Sequence, residues 1–247
     1  MELGIGGKVA LVMGASKGIG AAVARELAAE GARVAVASRS RAPLEELAGE
    51  IGASAFVHDN TDLDAVANLL DSVARALGPV EILVTNTGGP PSGPDPLAFT
   101  REQWELAHRT LVLAPLALIA AVVPGMRERG WGRIVNIGSL TVREPMSILM
   151  LSNAERAAAL AAFKTIAGEV AGDGITLNTV LPGRIGTDRL FSLLAGAPPE
   201  AIASEVPAGR LGTPEELAAA VAFLCSERAA YITGTALLVD GGLAKLV

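Results

Sequence analysis

The stretch from Lys8 to Glu30 constrains the fold more than any other part of the chain. The β-branched run Lys8–Met13 (KVALVM) passes directly into Gly14-Ala15-Ser16-Lys17-Gly18-Ile19-Gly20, and a helical apolar period follows over Ile19–Glu30. Glycines without Cβ atoms permit a tight turn and let backbone approach a ligand closely. The helix start adds free N–H groups and the positive end of a dipole, a combination suited to the pyrophosphate of a dinucleotide.

Strand and helix patterns alternate along the rest of the chain. Lys8–Met13, Arg33–Ser38, Ala53–Val57, Glu81–Thr85, Arg133–Ile137, Thr176–Val180 and Ala236–Val239 read as strands. Several are apolar almost throughout, as in a parallel sheet covered on both faces. Helical patterns occupy Ile19–Glu30, Leu44–Ile51, Leu63–Leu77, Arg101–Arg129, Leu151–Ala171 and Pro214–Ser226. This order predicts an α/β fold: a doubly wound parallel sheet of about seven strands with helices on both faces. No linker, repeat or low-complexity tract divides it, so residues 1–247 are expected to form a single dinucleotide-binding domain. Gly88–Pro96 and Gly186–Gly209 interrupt the alternation after the fourth and sixth strands. Both leave carboxyl ends of strands, where open α/β sheets bind ligands. They are expected to wall one cleft, with a substrate lid around residues 186–209.

A net charge of -6 argues against a nucleic-acid partner, since phosphate backbones are met by clustered Lys and Arg. The one cysteine, Cys225, excludes an internal disulfide and a cysteine metal cage, and no metal site is expected. Met1–Gly7 has neither the basic start nor the apolar stretch of a secretory signal, so a cytoplasmic protein is expected. Leu111–Met126 carries no charge but is short for a membrane span and holds Pro115 and Pro124. It reads as a buried helix rather than a membrane segment. The apolar helical stretches Leu111–Val123 and Leu151–Ala162 suggest a homo-oligomer, a dimer or a tetramer.

The glycine spacing is Gly-x3-Gly-x-Gly. Asp59 follows the third strand, and Thr85-Asn86-Thr87-Gly88 the fourth. IVNIGS lies at Ile134–Ser139, NTVLPGRIGT at Asn178–Thr187, GTPEELA at Gly212–Ala218, and YITG…VDGG at Tyr231–Gly234 and Val239–Gly242. In this order and spacing the chain resembles the short-chain dehydrogenase/reductase family over Lys8–Gly242. Its layout is most similar to bacterial 3-oxoacyl-acyl-carrier-protein reductases. The resemblance implies a Rossmann-type sheet and a nicotinamide cofactor on Gly14, Ser16, Lys17, Gly18, Ile19 and Gly20. It also implies adenine at Asp59 and Asn60, and the adenosine and ribose side at Asn86 and Gly88. Nicotinamide and phosphates would be flanked by Pro182, Gly183, Ile185 and Thr187. Thr85 and Thr87 depart from the family's Asn-Asn-Ala-Gly. The second strand ends in Ser38-Arg39-Ser40-Arg41, with no acid to repel a 2′-phosphate. With Lys17 across the turn, Ser38 and Arg39 favour NADP over NAD.

The resemblance also implies a Ser…Tyr-x3-Lys set, with an Asn on the preceding helix. Ser139 matches the serine. The tyrosine position holds Ser152, the lysine position Arg156 and the Asn position Leu111. The chain's one tyrosine, Tyr231, lies in the turn before the last strand. Lys164 is eight residues past Arg156, about two helical turns away. Arginine can still bond ribose hydroxyls, whereas serine is a poor acid near neutral pH. Losing a positioned general acid costs about 10²–10⁴ in rate. Two functions follow: an NADP-dependent oxidoreductase reducing the carbonyl of a small molecule or acyl thioester through Ser139, Ser152 and Arg156, or an NADP-binding sensor or partner subunit without turnover. Among secondary candidates, His58 precedes Asp59 and His108 reads as a surface or packing residue; Arg143 and Glu144 suit an anionic substrate or an exposed ion pair equally; Met146 and Met150 read as apolar packing or a pocket wall, not a metal site.

Overall fold

The computed structural model describes residues 2–194 and 197–245. Seven parallel strands form one sheet: β1 (Val9–Met13), β2 (Arg33–Ser38), β3 (Ser54–Val57), β4 (Ile82–Thr85), β5 (Gly132–Ile137), β6 (Ile175–Pro182) and β7 (Ala236–Val239). Their order is β3-β2-β1-β4-β5-β6-β7. The chain starts in the middle, winds outward to β3, and returns to lay β4 against β1. That reversal opens a crevice above the carboxyl ends of β1 and β4.

Every residue of β1 and β4 is buried, because helices cover both faces. On one face α1 (Gly18–Ala29), α2 (Arg41–Ile51) and α9 (Pro214–Leu224) pack Val23, Leu27, Leu44 and Val221 against Val12, Val36 and Val84. On the other, α3 (Val66–Leu77), α5 (Ala114–Arg129) and α6 (Met150–Val170) pack Val73, Ile119 and Phe163 against Leu11, Leu83 and Ile134. Thr213 begins α9 with a capping box, its side chain accepting from Glu216 N–H while Glu216 accepts from Thr213 N–H. Glu215 and Glu216 are therefore first-turn acids and not a catalytic pair.

The expected helix over Arg101–Arg129 divides into α4 (Arg101–His108), a π turn (Arg109–Leu113) and α5. Pro115, without an N–H, cannot continue the regular ladder, and the wider turn lies immediately before it. Among the described residues, Arg101–Arg129 is long and apolar enough to cross a membrane, yet half of its most apolar window is buried inside the fold. The segment expected as a lid contains two short helices, α7 (Asp188–Leu193) and α8 (Pro199–Ser204). Residues 195 and 196 of that expected lid, like 1, 246 and 247 of the expected domain, lie outside the described residues.

Candidate active site

The glycine turn is held by contacts that leave no room for a side chain. Gly14 has φ +61°, and a Cβ there would stand 2.6 Å from the Asn86 carbonyl oxygen. A Cβ on Gly20 would stand 2.3 Å from the Gly14 carbonyl oxygen. Asn86, just past β4, donates from Nδ2 to that same Gly14 oxygen at 3.1 Å and so ties the two central strand ends together. No side chain caps α1, whose N-cap Lys17 is extended. Its first-turn N–H groups remain available to an anion.

Above this turn lies a cleft of about 870 Å³, within the range of about 300–1,000 Å³ usual for ligand pockets. Gly14, Ser16, Lys17, Gly18 and Ile19 form its floor. Ser38, Arg39, Asp59 and Asn60 line one end, past β2 and β3; Asn86 and Gly88 follow β4, and Pro182, Gly183, Ile185 and Thr187 line it at and after β6. Gly20 is the one residue of the expected cofactor set outside the lining; it acts from beneath, by letting α1 close on the turn. Ser139, Ser152 and Arg156 line the same cleft, so both expected groups share one space.

At the first end, Asp59 Oδ1 accepts from the Thr61 N–H and hydroxyl, both at 2.9 Å. These bonds, with Arg39 nearby, hold its carboxyl below the usual range. His58 is buried beside it, and desolvation lowers its imidazole pKa, which favours the neutral ring. Lys17 Nζ lies 3.2 Å from Asp188 Oδ2, in an exposed pair that joins the glycine turn to α7.

At the other end, Ser139 follows β5, and its Oγ lies 3.0 Å from Thr141 Oγ1. On α6, Arg156 Nε donates to Ser152 Oγ at 3.2 Å, one turn back. Arg156 Nη1 donates to the carbonyls of Ile137 (2.8 Å) and Gly138 (3.2 Å), which clamps α6 to the end of β5. Burial, with the Arg189 guanidinium adding to it, lowers Arg156 to about 10, so it remains a cation at neutral pH.

Several other candidates fall outside the cleft. His108 Nδ1 lies 2.8 Å from Glu155 Oε2, joining α4 to α6 in a shallow surface groove with Trp104 and Leu113. Tyr231 is fully exposed, Lys164 donates to the Gly234 carbonyl, and Cys225 is fully buried. Leu111 is buried within the π turn, and Thr110 meets the cleft instead. Of the secondary candidates, His58, Glu144 and Met146 line the cleft. The two interruptions expected to wall the cleft contribute Gly89-Pro90-Pro91 and Arg189, Leu190 and Leu193, none singled out individually from sequence, and Arg184 joins them. The proline-rich loop and the α7 segment were both recognisable as interruptions, which was the available signal. Among the described residues no cluster of three His, Cys, Asp or Glu could hold a metal.

A family model described as Enoyl-(Acyl carrier protein) reductase matches residues 14–244. The chain is 37% identical over 241 residues to the 3-oxoacyl-(acyl-carrier-protein) reductase of Haemophilus influenzae, covering 96% of this chain and 98% of that protein. Among solved structures, the L-sorbose reductase of Gluconobacter frateurii, complexed with NADPH and L-sorbose, superimposes with a TM-score of 0.91 at 34% identity, covering all of both chains. A 3-oxoacyl (acyl-carrier-protein) reductase from Agrobacterium tumefaciens with NADP bound gives 0.90 at 32% identity, covering 98% of this chain and 96% of that one. The glycine turn, the strand order and these matches over nearly the full length agree: the chain belongs to the short-chain dehydrogenase/reductase family of oxidoreductases.

Proposed function

We propose that the chain is an NADP-dependent carbonyl reductase in which Ser139, Ser152 and Arg156 work at the nicotinamide end of the cleft. One observation carries this reading: the uncapped start of α1 and the Ser139–Arg156 group line one continuous space. The cradle fits a dinucleotide, since Gly14 and Gly20 admit no side chain and the first-turn N–H groups lack a side-chain partner. Arg39 and Lys17 would take the 2′-phosphate, and Thr187 with Gly183 would flank the nicotinamide. NADPH in the Gluconobacter relative and NADP in the Agrobacterium relative support this choice.

The cofactor, when bound, supplies hydride to the substrate carbonyl carbon. Ser139 Oγ–H donates to the carbonyl oxygen and polarises it. Arg156 provides the fixed positive charge that favours the developing alkoxide, an electrostatic role that requires no deprotonation. The resemblance assigns a tyrosine acid to the position of Ser152, so the alkoxide here takes its proton from water ordered on Ser139 and Ser152.

A second reading is favoured by the same substitutions. Arg156 is committed to Ile137 and Gly138 carbonyls, and a protein that binds NADP without turnover would tolerate that arrangement. Fluorescence titration with NADPH, followed by NADPH oxidation against ketones, quinones and β-ketoacyl thioesters, separates the two. Binding with turnover supports the reductase. Binding without turnover on any substrate selects the second reading, and absence of binding removes both.

Association through α5 and α6 is part of the proposal. Leu113 at the end of the π turn, Ala120, Ala121 and Pro124 on α5, and Ala154, Ala157, Ala158 and Ala161 on α6 form exposed apolar stripes. A dimer or tetramer is expected by light scattering; a monomer would overturn it.

A further inference from the structure

We propose that Arg156 and Arg189 together form a receptor for a carboxylate on the substrate, so that the chain takes a small oxo acid in preference to a neutral ketone or ester. The proposal rests on the reductase reading of this cleft and names the substrate class that the cleft selects.

Several charged side chains face this end of the cleft. Arg184 lines it but is engaged by Glu205 at 2.8 Å. Glu144 lines it and accepts from the backbone N–H of Lys245. Asp188 faces Lys17. Arg156 and Arg189 remain, and among the described residues neither lies within 4.0 Å of a carboxylate. Arg156 reaches only a serine hydroxyl and two backbone carbonyls through Nε and Nη1. Arg189 reaches only the Pro90 carbonyl, from Nη2 at 3.0 Å.

Two guanidiniums that repel each other across one cleft, one of them largely withdrawn from water, raise the free energy of the protein without a ligand. A carboxylate between them removes that repulsion and satisfies the remaining fork geometry of arginine, which matches a carboxylate better than a point cation does. Arginine at position 156 serves this better than lysine because Nε and Nη1 are already committed and Nη2 bears no protein partner. Arg189 belongs to α7 and is anchored to the loop after β4, so it closes the cleft from above. Ser139 lines the same end and leaves the ketone oxygen its own donor.

The anion could instead be the cofactor's pyrophosphate, and the test separates these sources. Acetoacetate and methyl acetoacetate are titrated by calorimetry into the protein alone and into its NADPH complex, for the natural chain and for Arg189→Ala. Arg189 is exposed, and matching thermal melts establish that the variant is folded. Acetoacetate is expected to bind about tenfold or more tightly than the ester, and Arg189→Ala to remove that difference while NADPH affinity changes less than about twofold. Equal binding of acid and ester overturns the proposal. So does a loss of NADPH affinity in Arg189→Ala as large as the loss for acetoacetate, which would assign the pair to the cofactor phosphates. Failure of the natural chain to bind NADPH overturns the cofactor reading instead, and acetoacetate titrated into the protein alone still decides the receptor.

Discussion

Arg156 holds Ser152 and the end of β5 at once: Nε donates to Ser152 Oγ at 3.2 Å, and Nη1 donates to the Ile137 carbonyl oxygen at 2.8 Å. The guanidinium is thus both a brace between α6 and the sheet and the nearest fixed charge to Ser152. Removing it by Arg156→Ala strips three hydrogen bonds and is expected to destabilise the fold by about 1–3 kcal/mol. Urea denaturation measures this, and an unchanged midpoint would refute the bracing role.

Replacing the same two residues together tests the chemistry. Ser152→Tyr with Arg156→Lys supplies a phenol and a compact cation in the cleft. NADPH oxidation is expected to rise, toward the 10²–10⁴-fold that a positioned general acid contributes, roughly. Ser139→Ala in either background is expected to lower it. If the double variant binds NADPH and gains no rate, proton delivery does not limit this site.

Arg39 and Lys17 should decide between the two dinucleotides. Arg39→Ala is expected to weaken NADPH by about tenfold or more and to leave NADH almost unchanged, since only NADPH brings a 2′-phosphate. Lys17 is paired with Asp188 and must exchange partners, so Asp188→Asn should tighten NADPH binding. That gain should fade with salt, as both side chains are exposed and the Debye length shrinks to about 10 Å at 0.1 M. Equal effects on NADH and NADPH would remove the 2′-phosphate assignment.

The glycine turn offers a paired stability test. Gly20→Ala would place a Cβ 2.3 Å from the Gly14 carbonyl oxygen, backbone that cannot move aside. Overpacking of this kind costs about 1–3 kcal/mol, and the distorted turn should also lose NADPH. Gly88→Ala meets nothing within 4 Å and should melt like the natural chain. Calorimetry of the two variants checks both expectations; similar melting temperatures would show that the turn yields.

All seven strands were legible in the sequence, β1 and β4 most plainly as nearly continuous apolar runs of strand length between turn signals. The cofactor set was legible for a related reason: it lies where strands end and glycines follow. Features set by tertiary contact were hidden. The helix expected from Leu63 begins at Val66, after Asp62 Oδ1 accepts the Ala65 N–H in the preceding turn. The π turn depends on how Pro115 is accommodated within a longer helix. The place of Arg189 depends on α7 folding back over Pro90, 99 residues away in sequence. The match of His108 to Glu155 depends on α4 crossing α6, and neither residue carries a local signal for it.

Cys225 yields a prediction with a definite sign. Desolvation raises its thiol to about 12 from 9.0, with Arg133 opposing the effect. The folded chain therefore keeps a proton that the unfolded chain gives up between about pH 9 and 12. The stability associated with the neutral thiol is complete below pH 9 and declines as pH rises through that window, by up to about 1.4 kcal/mol per unit. Other groups titrate there too, so the measurement is the difference between the natural chain and Cys225→Ala. The gap in unfolding free energy should shift in favour of the alanine variant from pH 8 to pH 10.5. A thiol reagent should also leave the folded chain unmodified at pH 8 and label it in denaturant. A pH-independent gap, or rapid labelling of the folded protein, would contradict a buried and protonated Cys225.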